Sequence, residues 1–212
     1  AFALASQEKA AAAQTGGRLD GEIVPIKING VSVDRDGCLR PETTLDALAE
    51  LKLAFDQNGT VTAGTSSPLT DGAAAVLVCS EDYAEKHNLT PTARICSTAV
   101  AGCEPETMGL GPIFASRKAL ERAGIEAKAL DVVEINEAFA TQSIASIRDL
   151  NLDPERINKD GGAIAIGHPL GATGARITGK AAEILAREGG RYALSTQCIG
   201  GGQGIATVME AI

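Results

Sequence analysis

The sequence is poor in aromatic and basic residues. It has no tryptophan, two tyrosines, four phenylalanines and two histidines in 212 residues, but 24 glycines. We therefore expect alanine-rich helices and close backbone packing in place of large aromatic anchors. Basic residues are outnumbered, 19 against 27 acidic, which gives a formal net charge of -8. This charge argues against nucleic acid and anionic membrane surfaces as partners, because both are bound through basic faces.

Paired or clustered cysteines are also missing. The five cysteines are an odd number with no Cys-x-x-Cys spacing, which argues against a disulfide framework and a zinc site: Cys38, Cys79, Cys96, Cys103 and Cys198. We expect no metal and a reducing compartment. The sequence shows no signal peptide, no apolar run long enough to span a membrane and no C-terminal peroxisomal tripeptide. The expected location is the cytoplasm, with an organelle matrix as the alternative.

Helical and strand patterns alternate along the chain, which predicts an α/β layered fold. With 44% hydrophobic residues, the chain can bury one large core or two smaller ones. The predicted helices are 1–14, one capped by Thr43 or Thr44, one opened by Ser80, and 112–123, 138–150 and 174–187. The predicted strands are 22–25, 73–79 (buried), 94–100, 131–135, 191–197 and 204–210, with a turn at Asn29-Gly30 and a loop over 55–68.

The most informative segment is NKDGGAIAIGHPLGATGAR, residues 158–176. Its single histidine, His168, stands between glycines and a proline, so the backbone must turn sharply there and the imidazole is the only large titratable group in the bend. The plain alternative is a glycine-rich loop whose histidine caps a helix. The length of the string favours a catalytic base.

Two further segments accompany it: NEAFA at 136–140 and CIGGGQG at 198–204. Together, in this order and near the C-terminus, the three segments resemble the thiolase family, enzymes that make or cleave 3-ketoacyl-CoA thioesters. The resemblance covers the whole chain, but only the C-terminal part of a thiolase. It implies a thiolase-like layered fold, a mixed β-sheet with helices on both faces. It divides the chain into 1–69, the rear of the loop domain that covers CoA, and 70–212, the C-terminal domain.

The resemblance also implies a missing half. Thiolases carry their nucleophilic cysteine in an N-terminal half, and the sequence opens with AFALASQEKA, a helix already in progress with no cap before it. We therefore expect a fragment, a proteolysed chain, or one half whose partner is a separate chain. The implied substrates are CoA and acyl-CoA with no cofactor. The implied complete assembly is a homodimer or homotetramer that acts by ping-pong acyl transfer.

Four residues carry the catalytic part of the resemblance. His168 resembles the histidine that deprotonates the nucleophile and donates to the thioester oxygen, and Asn136 the asparagine that fixes a water beside it. Cys198 resembles the second cysteine, an acid and base at the acetyl carbon. Its thiol, with an ordinary pKa of about 8.5, needs neighbours that stabilise the thiolate. Gly200 resembles the residue whose N–H completes a second oxyanion hole. Gln197 departs from the family, which more often has a small apolar residue or methionine there.

Other matches concern CoA. Ser67 matches a serine that contacts the pantetheine, and Phe55 and Met108 match apolar groups of the same tunnel; Ala138 and Phe139 are assigned to the same binding role. Each of the first three has a plainer interpretation: Ser67 as a turn residue, Phe55 as core and Met108 as a gap filler.

The second histidine has no role in this prediction. His87 has polar neighbours near a helix end, which indicates a solvated surface residue.

The alternatives to a thiolase differ in class. A ketoacyl synthase would use a differently arranged histidine pair and would lack Cys198 with its glycines. A non-catalytic CoA-binding or interaction subunit stays open, whereas a nucleotide-binding loop is excluded because neither Gly-x-Gly-x-x-Gly in the right context nor a Walker-type motif is present. Acyl chain length and reaction direction are not specified by these motifs.

Overall fold

The computed structural model describes residues 1–212. The α-helices are α1 Phe2–Thr15, α2 Leu45–Ala49, α3 Glu81–Lys86, α4 Gly111–Ala123, α5 Ala140–Asp149, α6 Ala163–Ile166 and α7 Thr173–Glu188. The strands are β1 Ile26–Ile28, β2 Val31–Val33, β3 Ala93–Gly102, β4 Val132–Ile135, β5 Tyr192–Ile199 and β6 Gln203–Ala211. Short 3-10 helices lie at Ala63–Thr65, Pro105–Leu110, Ala127–Ala129 and Pro154–Arg156.

One mixed sheet organises the second half of the chain. Its strand order is β3-β6-β5-β4, with β5 antiparallel to β6 and parallel to β4. Side chains alternate across the sheet, so that Val133 and Leu194 belong to the core cluster that includes α4 residues. Val132 and Ala193 face the opposite way and pack with apolar residues of α7. The predicted mixed sheet with helices on both faces is confirmed.

The helix ends follow capping chemistry. Thr44 and Ser80 cap α2 and α3, each side chain accepting a hydrogen bond from the backbone three residues on. Left-handed Gly124 and Gly189 end α4 and α7. The helix predicted over 1–14 is confirmed within one residue at each end. No helix has the length and apolarity needed to cross a membrane.

Two strand predictions in the first half are wrong. The strand expected at 22–25 is absent, and the hairpin β1–β2 follows instead, with positive φ angles at Asn29 and Gly30 in its two-residue turn. Segment 73–79 was predicted as a buried strand, but it has no regular structure and is exposed throughout. No strand of this chain pairs with it, and an apolar run becomes a strand only when another strand satisfies its backbone groups.

Helix α1 is tied to the second half by polar contacts. Glu137 is fully buried, and its carboxylate accepts hydrogen bonds from Ser6 Oγ at 2.6 Å, Asn158 Nδ2 at 2.7 Å and the Ile164 N–H at 3.1 Å. Burial raises the pKa of this carboxyl group, although these bonds oppose the shift. A side chain at Gly162 would have its Cβ 2.2 Å from the same carboxylate, so only glycine fits there.

Candidate active site

The parallel pairing of β4 and β5 places two of the predicted residues at one edge of the sheet. Ile135 pairs with Thr196, and the Asn136 N–H donates to the Thr196 carbonyl at 3.0 Å. Asn136 therefore follows the carboxyl end of β4, and Cys198 lies at the carboxyl end of β5, the parallel neighbour of β4. In open α/β sheets this edge is where ligands bind.

The turn between α6 and α7 brings His168 to the same edge. Gly167, with φ 93°, allows the bend, and its missing side chain leaves room for Thr70, whose Oγ1 would lie 2.4 Å from an added Cβ. His168 Nε2 lies 3.3 Å from Asn136 Nδ2. The structure thus brings the two residues together directly, where the resemblance implied a water beside the histidine.

A residue that the sequence did not single out fixes the imidazole. Thr173 is fully buried at the start of α7, and its Oγ1 lies 2.7 Å from His168 Nδ1. The hydroxyl donates to the Pro169 carbonyl at 3.0 Å, so its lone pair accepts from Nδ1–H. Nε2 is then the unprotonated nitrogen, and it accepts from the Asn136 amide. Burial, and secondarily the charge of Arg176, lower the pKa of His168. The geometry presents a neutral base.

Cys198 is buried at the end of β5. Burial is the main reason that the pKa of its thiol is raised, the neighbouring Cys103 adds to the shift, and a backbone hydrogen bond opposes it. The thiolate-stabilising neighbours expected for an acid and base are therefore not supplied by this chain. Cys103 is held beside the glycine cluster, because its N–H donates to the Gly202 carbonyl at 2.8 Å.

The glycine cluster closes the turn from β5 to β6. Gly201 and Gly202 have φ angles of 75° and 82°, and a Cβ on Gly202 would lie 2.6 Å from the Cys103 carbonyl oxygen. Gly200, by contrast, is exposed, and a Cβ there would meet no atom of this chain within 4 Å. The side of the turn next to Cys198 is thus open.

Three of the predicted CoA residues meet near this edge. The Ser67 N–H and Oγ both donate to the Ala138 carbonyl, at 3.0 Å and 3.3 Å, and Ser66 forms a β-bridge with Phe139. Ser67 therefore contacts the segment that follows Asn136 instead of serving as a turn residue.

The other two CoA candidates are Phe55 and Met108. Phe55 is 90% exposed, with a positive φ of 67°, just beyond the bridge between Leu53 and Thr62. It is not a core residue. Met108 is half-buried, and its carbonyl lies 3.9 Å from Cys103 Sγ.

Two polar features lie outside this group. His87 is exposed and stacks on Tyr83 with ring centroids 4.2 Å apart, which confirms a surface residue. A trio of carboxylates, Glu22, Asp160 and Glu183, has the spacing of a cation site, but the Lys180 ammonium stands among them, 2.9 Å from Asp160 and 3.9 Å from Glu183. A lysine already supplies the positive charge that these acids require.

Comparison with known proteins decides the family. Residues 89–211 match the family model described as thiolase, C-terminal domain, and residues 1–82 match that of the thiolase N-terminal domain. The chain belongs to the thiolase family. It contains sequence from both domains.

Individual relatives agree. The chain is 52% identical to an acetyl-CoA acetyltransferase of Shinella zoogloeoides, over all of this chain and 55% of the relative. It is 50% identical to a 3-oxoadipyl-CoA/3-oxo-5,6-dehydrosuberyl-CoA thiolase of Escherichia coli, over all of this chain and 54% of the relative. A crystal structure of human mitochondrial 3-ketoacyl-CoA thiolase in complex with CoA superposes with a TM-score of 0.94 at 46% identity, over all of this chain and 53% of that one. The chain spans about half the length of these relatives.

Proposed function

We propose that this chain is the part of an acyl-CoA C-acyltransferase that supplies the base, the second cysteine and part of the CoA site. It cleaves or forms 3-ketoacyl-CoA by ping-pong acyl transfer through a cysteine on an N-terminal half. The observation that carries the proposal is the contact between His168 and Asn136, 3.3 Å, at the carboxyl edge of the sheet that also presents Cys198.

His168 takes the first proton in this proposal. With Nδ1–H bonded to Thr173 Oγ1, the Nε2 lone pair gives up its hydrogen bond from the Asn136 amide and accepts the proton of the nucleophilic thiol instead. The resulting Nε2–H and the Asn136 amide are then two donors at one place, which suits a developing oxyanion. A lowered pKa keeps the imidazole neutral before the reaction, as a base requires.

Cys198 handles the proton at the acetyl carbon. Its raised pKa makes it a thiol near neutrality, ready to protonate the leaving carbanion when a ketoacyl-CoA is cleaved. The condensation direction needs the thiolate instead, so we propose that groups beyond this chain lower the pKa in the complete enzyme. Gly200 donates its N–H to the second oxyanion hole, on the open side of the turn.

The substrates are CoA and acyl-CoA, with no cofactor. Ser67, Ala138 and Phe139 meet in one place and are proposed to contact the pantetheine, with Met108 and Phe55 as apolar parts of the same path. Residues 1–69 serve as the rear of the loop domain that covers CoA, and 70–212 as the catalytic C-terminal domain. The two relatives described above are named for different acyl-CoA compounds, so the proposed substrates are CoA and acyl-CoA as a class.

The partner is an N-terminal thiolase half, in the same protein or as a separate chain. The exposed segment 73–79 offers Val76, Leu77 and Val78 at 44%, 73% and 67% exposure, with free backbone groups. Such a surface is covered in stable proteins. We propose that this half pairs with the segment, that the complete enzyme is a homodimer or homotetramer, and that it works in the cytoplasm.

The test mixes this chain with the N-terminal half of the Shinella relative and follows acetoacetyl-CoA thiolysis. Neither half alone should react, and the mixture should turn over. Thiolysis by this chain alone would refute the assignment of the nucleophile to the other half. A complex that binds CoA without turnover would favour the non-catalytic CoA-binding subunit.

A further inference from the structure

Arg176 is only partly exposed, and its guanidinium group is buried without any hydrogen bond. Arg176 lies in the first turns of α7, and its Nε, Nη1 and Nη2 atoms are buried with no partner in the chain. Its nearest carboxylate is Glu134 on β4, with Nη1 and Oε2 3.8 Å apart. Glu134 is fully buried, and neither of its oxygens has a hydrogen-bond partner. Burying polar or charged groups without hydrogen bonds costs free energy, so these two residues are candidates for a functional role.

Glu134 and Arg176 connect the β4 segment to α7 next to the place where Asn136, His168 and Thr173 connect them. Glu134 on β4 and Asn136 just after it are two residues apart, and the Asn136 N–H continues the pairing with β5, so both face the side of Val132, which packs against α7. Thr173 and Arg176 are three apart on α7 and share one helix face. Two rungs therefore connect the strand to the helix. Asn136, His168 and Thr173 form one, and Glu134 and Arg176 form the next.

The second rung places the Arg176 charge one helical turn beyond Thr173, whose hydroxyl is bonded to His168 Nδ1, and this charge opposes protonation of the imidazole. Burial raises the pKa of Glu134 to about 8, although Arg176 and Lys180 oppose the shift. Glu134 is therefore largely uncharged in the pH range where histidine titrates, and it does not cancel the guanidinium charge. The other charged groups around this pair are Lys180, Glu137 and Asp160 near Glu134, and Asp36 near Arg176.

We propose that Arg176 is a positioning residue for His168: placed against Glu134, it fixes a positive charge beside the imidazole that keeps Nε2 unprotonated and able to accept from Asn136. The inference rests on the proposed function only in giving His168 the role of base. The electrostatic part can be measured without any activity.

The chain's two histidines make this measurement simple. With the Cε1 positions isotopically labelled, an NMR pH titration of the full chain gives two signals, and exposed His87 serves as the internal control. His87→Gln assigns the signals. Arg176→Gln should raise the midpoint of His168 and leave that of His87 unchanged. Arg176→Lys keeps the charge and should leave both midpoints at their wild-type values, as should Glu134→Gln, which removes a group already uncharged in this range.

An unchanged His168 midpoint in folded Arg176→Gln would overturn the proposal. So would a clear rise in Arg176→Lys, which tests the charge even if the glutamine variant does not fold. In the complex with the N-terminal half, the acidic limb of the kcat/KM profile should move to higher pH for Arg176→Gln alone. If the complex is inactive while the titrations behave as expected, the proposed function fails and the positioning role stands.

Discussion

Two parts of this chain, residues 20–83 and residues 89–211, both contain apolar runs, but they differ greatly in how many of their residues are buried. Residues 89–211 contain the sheet and both large core clusters. Between residues 20 and 83, by contrast, Thr62 is the only buried residue, although apolar runs such as 73–79 are present. Hydrophobic residues are therefore buried only where the chain also supplies a surface against which they can pack. Apolar side chains of the first part have few such surfaces within this chain, whereas those of the second part pack against one another.

The largest expected effect comes from matched leucines in the two parts. Leu194 is fully buried in the sheet, and Leu77 is 73% exposed. Leu194→Ala should lower the free energy of unfolding by about 2–5 kcal/mol through lost burial and a cavity, whereas Leu77→Ala should change it by less than about 0.5 kcal/mol. Urea unfolding of the dilute chain measures both. Equal losses of stability would contradict the difference in packing, because they would mean that Leu77 is packed in solution.

A second prediction concerns pH. The folded pKa of Glu134 is about 8, above the ordinary value of 4.5, so between these pH values the unfolded chain has lost the proton that the folded chain retains. Stability should therefore fall as pH rises through this window, by about 1.4 kcal/mol per pH unit from this group. Glu134→Gln should remove that contribution. Unfolding curves at pH 5, 6.5 and 8 compare the two proteins, and parallel pH dependences would contradict the prediction.

Removing the hydrogen bonds that hold α1 against the second part should have a smaller effect. Ser6 Oγ donates to Glu137 at 2.6 Å and accepts from the Gly162 N–H at 3.1 Å. Ser6→Ala leaves buried polar groups unpaired and should cost about 1–3 kcal/mol. The matched control is Ser32→Ala on exposed β2, expected within about 0.5 kcal/mol of wild type. A neutral Ser6→Ala would mean that α1 is not held by this contact.

Much of the second part could be predicted from sequence because its signals are local. The helix expected over 112–123, the strand before Asn136 and the helix after the His168 turn all appear where expected. The failure at 73–79 has the opposite cause, because an apolar run carries no information about whether a pairing strand exists.

The site was predicted less completely than the fold. Motifs identified His168 and Asn136, and their contact is present. Thr173 and Arg176 were missed as functional residues, although both lie in the same glycine-rich string. Their roles depend on which face of α7 meets β4, and that is a tertiary fact. Helical spacing of three between them was the available signal.

In the proposed enzyme this chain contributes the base and the second cysteine, while the other half contributes the acyl acceptor. The most direct measurement is labelled-acetyl transfer from acetyl-CoA to the complex of the two halves, followed beside thiolysis rates. His168→Ala should abolish acylation, and His87→Ala should not. Cys198→Ser should still acylate but lose thiolysis by roughly 10²- to 10⁴-fold, with exposed Cys96→Ser as its control. Normal acylation in His168→Ala, or near-normal thiolysis in Cys198→Ser, would contradict the roles proposed for these two residues.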